Sequence, residues 1–357
     1  MRDLFRKACL LPFMILFTHV TAALAEPIQL PPVKAGRARP IVAIVADNAG
    51  TETTDLMVPY GILKTAEVAD VIIVSSNAGK VSLMPALTVE PDLTMDVFDR
   101  IHPEGADLVI VPAMHDNKNE TIVGWVRAQA NKGAFVGAIC EGAWIAARAG
   151  LLDGRHATTH WYAFDKISTK FPKTQWVRDR RYVVDANVMT TTGVSASIPA
   201  TLALVEAIGG RAKAKATAAQ FGFANWNATH DSERFHLKAG NVGLVIANYL
   251  SFWEHETLAI PVTDGFDEIA LALSADAWSR TYRSQAITVS AKSNVASKHG
   301  LTLVPDKLLK TYNSRSYLDQ AGISALSLDL TLQKIAARYG QKTADLVSLQ
   351  IEYAGGE

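Results

Sequence analysis

At 357 residues the chain exceeds one ordinary hydrophobic core, so two folded units are expected. Hydrophobic residues at 49% against 20% charged exclude a disordered chain. Thirty-five basic residues balance thirty-five acidic ones, which excludes a global pull towards nucleic acid or anionic membrane but not a local patch.

Arg2, Arg6 and Lys7 precede an apolar run from Ala8 to Val20, and Ala23-Leu24-Ala25 offers small residues where a signal peptidase reads them. Residues 1–25 therefore read as a cleaved secretory signal, and the protein as periplasmic or secreted. The competing reading is a retained membrane anchor facing the periplasm. Against it stand the shortness of the run, Pro12 and the A-x-A pattern. On the cleavage reading, membrane contact is confined to export. Cleavage removes Cys9 and leaves Cys140 without a disulfide partner. A lone thiol in an oxidising compartment is a liability unless it is buried or used.

Glu26 to Pro40 contains four prolines and no helical period, so residues 26–39 are expected as an extended leader. Ile41 to Ala46 is a buried strand, and Asp47 to Thr54 a polar loop. Leu56, Tyr60, Leu63 and Ala66 then recur at helical spacing, with Pro59 near enough to the start to be tolerated. Asp70 to Ser76 is the next strand, and Gly79-Lys80 turns the chain into Val81 to Val89. Asp107 to Val111 is a strand ending at Pro112, and Glu120 to Lys132 an amphipathic helix.

From Ala134 to Trp144 a short apolar run stops at Cys140, followed by Glu141, Gly142 and helix-tolerant residues: strand, sharp turn, helix. This puts Cys140 at the top of a sheet and at a helix N-terminus, whose free N–H groups and dipole favour a thiolate. It is a nucleophile elbow with cysteine in place of serine. A small buried hydrophobe is the competing reading of the same residue. Ala157 to Trp161 is a short β-like segment carrying His160 towards the same edge. Val183 to Thr192 reads as a hairpin and Gly193 to Gly209 as a helix. Residues 223–262, with Trp226, His230, His236 and His255, read as a packed helical connector.

Strands alternating with helices predict an α/β fold with a doubly wound, mostly parallel sheet and helices on both faces. Ligands sit beyond the carboxyl ends of such strands. The loop before Asp55, the Pro112-Ala113-Met114 turn and Cys140 therefore converge on one crevice.

The elbow A-I-C-E-G-A-W, the following A-G-L-L-D-G-R-H-A-T-T-H-W (149–161) and T-T-T-G-V-S-A-S-I-P-A-T-L-A-L-V-E (190–206) together resemble the ThiJ/PfpI superfamily. Its fold is the flavodoxin-like, class I glutamine amidotransferase-like one. The likeness is closest to the amidase-like N-terminal domains of AraC-type regulators and to isocyanide hydratase, and covers 40–222. It implies that Cys140 is the nucleophile and that Asp55, four residues before Pro59, is the acid that hydrogen-bonds the thiolate. It further implies an oxyanion hole from the backbone N–H groups of Met114 and Glu141, with His160 near the pocket and Ala113 and Trp161 on the substrate side. Two departures matter. Ala113-Met114 replaces the usual Gly-Gly, which narrows the oxyanion site. Glu141 stands where relatives often carry histidine or threonine, which removes the local imidazole base of a protease-like site.

Carboxylates crowded near one thiol cannot all be charged cheaply, so Asp55 is expected to be partly protonated and the group to titrate together. Simpler roles compete for each residue: a helix cap for Asp55, a satisfied pocket wall for His160, a solvent-facing elbow residue for Glu141. His156, His160 and Glu141 lack the spacing of a metal site. No metal or cofactor is expected.

Gln285 to Asp306 lines up without gaps on Val71 to Asp92, matching at Ile287, Ser290, Val295, Leu301, Thr302, Pro305 and Asp306, and Gly322 to Gly340 echoes Gly193 to Gly209. Residues 263–357 are thus expected as a degenerate second α/β copy that has lost its middle, elbow included, and that packs as an internal pseudo-dimer partner. A homodimer stays open. The function expected is a cysteine-dependent hydratase or hydrolase acting on a small molecule through a thioadduct at Cys140. The alternative is a non-catalytic binding or redox-sensing protein on the same fold. A transcriptional regulator is disfavoured by the export signal and by the lack of paired C-terminal helix-turn-helix units, and no nucleic-acid partner is expected.

Overall fold

In chain order, β1 (Ile41–Ala46) and β2 (Thr51–Glu52) lead into α1 (Thr53–Ala66), β3 (Asp70–Ser75), β4 (Val81–Met84), β5 (Thr88–Val89) and β6 (Leu93–Thr94). Then follow α2 (Met95–Ile101), β7 (Leu108–Val111), α3 (Glu120–Asn131) and β8 (Phe135–Ala138). A 3-10 turn at Cys140–Gly142 joins β8 to α4 (Ala143–Arg148), ahead of β9 (His156–Ala157), α5 (Trp161–Lys170) and β10 (Gln175–Trp176). The hairpin β11 (Tyr182–Asp185) and β12 (Val188–Thr191) leads to α6 (Ser197–Gln220). The remainder comprises α7 (Ala239–Leu250), β13 (Glu256–Pro261), α8 (Glu268–Ser279), β14 (Ser284–Ser290), β15 (Val295–Ala296), β16 (Thr302–Leu303), β17 (Lys307–Leu308), α9 (Ser324–Tyr339) and α10 (Gln341–Gln350). The computed structural model describes residues 28–312, 316–318 and 324–355. The expected signal at 1–25 with Cys9, and Gly322 of the second repeat match, lie outside the described residues.

The main sheet has seven strands in the order β11-β12-β8-β7-β1-β3-β6. All its pairings are parallel except that of β11 with β12. β1, β7 and β8 are buried at every residue, which is why they read as unbroken apolar runs: a parallel sheet covered on both faces has no polar side. Among the described residues no helix is long and apolar enough to cross a membrane.

Three expectations need correction. Val81 to Val89 is not one run but the antiparallel pair β4 and β5. Pro59 lies in the interior of α1, where its missing N–H leaves the Asp55 carbonyl without a helical donor. The stretch 223–262 is not a helical connector: 223–238 is largely irregular, only α7 is a long helix, and β13 belongs to the C-terminal sheet.

The C-terminal unit repeats the first one element for element at its start. β13 and β14 pair in parallel as β1 and β3 do, β15 and β16 form the antiparallel hairpin of β4 and β5, and β17 adds beside β14 as β6 adds beside β3. Asp92 Oδ2 accepts from the Ile73 N–H at 2.7 Å, and Asp306 Oδ2 accepts from the Thr288 N–H at 2.7 Å. The N-caps Glu52 and Asp267 each accept from the N–H three residues on. Gly210 (φ 82°, ψ 165°) breaks α6 as Gly340 (φ 89°, ψ 156°) separates α9 from α10. The gapless alignment is out of step at one point. Val289 pairs with Lys307 as Val74 pairs with Leu93, so the second copy is one residue shorter between its strand and its hairpin.

The two units join about this repeat. α1 packs on α6 of its own unit and on α8 of the other. Leu303 pairs with Val89, fusing the two hairpins into one five-stranded sheet that ends at β2. Gly61 lets α1 and α8 approach, since a Cβ there would lie 2.6 Å from Ile269 Cγ1 and 3.0 Å from the buried Glu268 Oε1. Gly61→Ala should therefore lower stability by about 1–3 kcal/mol, the usual cost of overpacking. Combined with Ile269→Ala it should cost less than the sum of the two single changes, because they share one contact. Urea unfolding midpoints measure both. Strict additivity would mean that the helices do not meet at this point.

Candidate active site

The elbow is strained and held by the motifs around it. Cys140 is buried with φ 55°, a left-handed conformation that costs a non-glycine residue about 1–3 kcal/mol. Its N–H donates to Thr191 Oγ1 at 3.0 Å, and its carbonyl accepts from Thr159 Oγ1 at 3.0 Å. The T-T-H and T-T-T-G segments thus clamp the turn from two sides. Gly142 has no room for a side chain, because a Cβ would lie 2.0 Å from the Val111 carbonyl oxygen.

Asp55 is buried in the first turn of α1. It is not the cap: Glu52 is, accepting from the Asp55 N–H at 2.6 Å and from Thr54 Oγ1 at 2.8 Å. Asp55 Oδ2 accepts from the Ala113 N–H at 3.0 Å, while Oδ1 is buried without a hydrogen-bond partner. Ala113 therefore has no N–H to offer an oxyanion, although it lines the cavity that reaches Cys140. The Met114 N–H makes no hydrogen bond to a described residue, because Thr51 and Met114 face each other between the Glu52–Ala113 and His115–Gly50 bonds. It is thus available to a ligand at this strand end, while the Glu141 N–H hydrogen-bonds Cys140.

Several residues that the sequence did not single out complete the site. Arg280, just beyond α8, donates from Nη2 to Glu52 Oε1 at 2.9 Å and from Nε to Asp276 Oδ1 at 2.7 Å. Counted from the N-caps Glu52 and Asp267, Arg280 stands where Thr65 stands in the first unit, Asp276 where Gly61 stands, and Ala270 where Asp55 stands. The second copy thus lacks the acid as well as the elbow.

The C-terminal segment closes the other side. Gln350 O accepts from His160 Nε2 at 3.0 Å, Leu349 O from Trp161 Nε1 at 2.8 Å, and Ile351 O from the Ser195 N–H at 3.0 Å. The buried Glu352 carboxylate takes the Gly193 N–H at 2.6 Å and pairs with His230 Nε2 at 2.8 Å. His230 stacks on Phe235 and so belongs to this clamp rather than to a helical connector. Because Nε2 of His160 faces a carbonyl it carries the proton, which leaves Nδ1 as the basic nitrogen. His156 instead pairs with Asp185 at 3.1 Å, and among the described residues no group of three or more His, Cys, Asp or Glu is arranged to hold a metal.

A cavity of about 290 Å³ reaches Cys140, walled also by Glu52, Met114, Glu141, His160 and Arg280. Burial pushes Glu52 up to about 8, helped by the Asp55 charge, and pushes Asp55 and Asp276 each up to about 7. Burial opposes the Arg280 charge too, but Asp276 and Glu52 outweigh it and hold the guanidinium charged. Burial lowers His160, partly offset by Glu352 and Glu141. The thiol differs from expectation. Burial, then the charges of Asp55, Glu141 and Glu52, push Cys140 well above its ordinary value, and the Glu141 N–H does not compensate. The helix that follows the 3-10 turn spans only Ala143–Arg148, so its dipole is weak against three nearby carboxyls.

A family model described as the DJ-1/PfpI family matches residues 40–207. Isonitrile hydratase from Pseudomonas putida is 33% identical over 162 residues, 44% of this chain and 67% of that protein. The HTH-type transcriptional regulator GbdR from Pseudomonas aeruginosa is 33% identical over 116 residues, 32% of this chain and 31% of that protein. Protein DJ-1 homolog A from Arabidopsis thaliana is 33% identical over 124 residues, 33% of this chain and 30% of that protein. The chain belongs to the DJ-1/PfpI family. It spans about a third of the length of GbdR and of the plant protein.

The electrostatics give a testable sign. Alkylation of Cys140 by iodoacetamide should have its pH midpoint above the ordinary thiol value of about 8.5. Asp55→Asn should move that midpoint down, because it removes a carboxylate that opposes the thiolate. Mass-spectrometric labelling rates between pH 6 and 10 measure both. A midpoint well below 8.5 would show that the elbow field dominates the carboxyls.

Proposed function

We propose that the protein is a cysteine-dependent hydratase or hydrolase that acts on a small electrophile through a thioadduct at Cys140. The observation that supports this most is the cavity of about 290 Å³ that reaches the sulfur beside a carboxyl, Asp55, raised to about 7. A group titrating near the working pH both accepts and returns a proton efficiently.

The steps balance as follows. The Cys140 thiol adds to the reacting carbon; the S–C bond forms, and Asp55 takes the thiol proton and relays it to the substrate heteroatom, or to the reacting carbon itself in an isocyanide. The N–H groups of Met114 and Glu141 stabilise the charge that develops on that heteroatom. Water, deprotonated by His160 Nδ1, then attacks the same carbon. The S–C bond breaks and sulfur recovers the proton from His160. The net change is addition of one water; where the carbon carries a leaving group, that bond breaks before water attacks, the group departs with the proton relayed by Asp55, and the net change is hydrolysis. The likeness to isonitrile hydratase favours the hydratase version. The likeness to a transcriptional regulator favours a second reading, in which the site binds or senses a small molecule without turnover.

On the first reading, Cys140→Ser should lower kcat/KM by roughly two orders of magnitude or more. The assay is water addition to a panel of isocyanides, nitriles and aldehydes. No turnover by the unsubstituted protein, together with small-molecule binding that Cys140→Ser leaves intact, would replace this reading with the second. We further propose export with a mature N-terminus near Glu26, supported by the charged start, apolar run and A-L-A site. Mass spectrometry of the protein from its native host should find that terminus. An intact Met1 on the cytosolic protein would overturn export.

A further inference from the structure

A second hollow, of about 370 Å³, adjoins the cysteine crevice and shares Glu141, His160, Arg280 and Gln350 with it as walls. Its outer walls differ in kind. They include Val242, Val245 and Ile246 of α7, Leu346 and Leu349 of α10, and Trp161 of α5. We propose that this hollow holds the apolar body of the substrate, so that the molecule acted on at Cys140 is a neutral amphiphile: a ring or carbon chain ending in a small electrophilic group. The proposal rests on the reading of Cys140 as the reacting centre.

α7, A-G-N-V-G-L-V-I-A-N-Y-L, contains no charged residue and lies outside the stretch that matches the family. Its rotation is set by its only buried residue, Asn248, which donates to Thr281 O at 3.0 Å and to Thr343 Oγ1 at 3.4 Å. Val242 and Ile246, four residues apart and so on one face, are left 46% and 52% exposed beside the hollow rather than in a core. Such a face is costly in water unless something apolar covers it. The polar side chains gather at the inner end. Arg280 is already bound to Glu52 and Asp276 and so is not free to pair with an anionic substrate, and the Glu141 carboxylate in the same wall opposes one. Polar groups at the reacting end and apolar walls beyond are the usual division of labour in a small-molecule site.

The test compares iodoacetamide with N-hexyl iodoacetamide as reagents for Cys140 in the full chain, each rate divided by that with a free thiol. In both reagents sulfur displaces iodide, so only the tail differs. The hexyl reagent should label at least about tenfold faster, since each buried methylene is worth up to about fourfold. Ile246→Asp and Val242→Asn should each erase most of that gain, whereas Leu330→Asp, on α9 away from the hollow, should keep it. Circular dichroism checks that the variants are folded. Equal rates for the two reagents, or a gain that survives both α7 variants, would overturn the subsite while leaving Cys140 as a reactive centre. Failure of both reagents to label Cys140 would overturn the subsite and the proposed chemistry together.

Discussion

Arg280 holds two buried carboxyls at once, Glu52 of the first unit and Asp276 of its own helix. Removing one partner from such a cluster leaves uncompensated buried charge, at a cost of about 3–5 kcal/mol. Here the consequence goes beyond stability. Glu52 caps α1 by accepting the Asp55 N–H, Asp55 in turn accepts the Ala113 N–H, and that bond fixes the strand end beside the Met114 N–H. The first turn of α1, and with it the carboxyl whose charge acts most on the thiol, therefore depends on a guanidinium supplied by the C-terminal unit. His160 and Trp161 depend on the C-terminal unit in the same way, through the carbonyls of Gln350 and Leu349.

This explains which half of the repeat is present twice. The C-terminal unit keeps the strand pair, the helix with its cap, the hairpin and the glycine-broken helix. These are the parts that face the first unit across α1, α8 and the fused hairpins. What it lacks is the stretch carrying β7, β8 and the elbow, which in the first unit supplies Cys140 itself. A tethered partner is present at every protein concentration, so the site does not depend on association of two chains.

The parts of this architecture legible in the sequence were those written as local pattern. The apolar runs at Ile41, Leu108 and Phe135 announce buried parallel strands, and A-I-C-E-G-A-W announces the elbow, because each follows from short-range periodicity and turn chemistry. The repeat was legible where Pro305 and Asp306 copy Pro91 and Asp92. It was misread by one residue, because only strand pairing fixes the register. Glu52, Arg280, Gln350 and Glu352 were not legible. Their meaning comes from contacts that join distant parts of the chain, and no spacing rule links an arginine beyond one helix to a glutamate before another. The pairing of Asp55 with the Ala113 N–H was not legible either, since a backbone N–H leaves no mark in a sequence. The expectation of a low thiol pKa failed for a related reason. It weighed the helix end, which is local, against carboxyls whose number and burial are tertiary facts.

That burial also determines what the site can do with a proton. Glu52, Asp55 and Asp276 are buried around a single guanidinium, and three negative charges against one positive cannot all persist there. The cluster relieves itself by holding protons up to about pH 7 to 8, so its members titrate together across neutrality. A thiol raised well above its ordinary value has the complementary problem, since it must lose a proton before it can attack. The carboxyl that opposes the thiolate while charged is the one able to receive that proton, and once Asp55 is neutral its opposition disappears. Deprotonation of Cys140 and neutralisation of Asp55 are therefore coupled by the same electrostatics. On the proposed chemistry, the reactive form of the sulfur is then generated when a substrate is present to take the electrons, rather than standing exposed to oxidation beforehand.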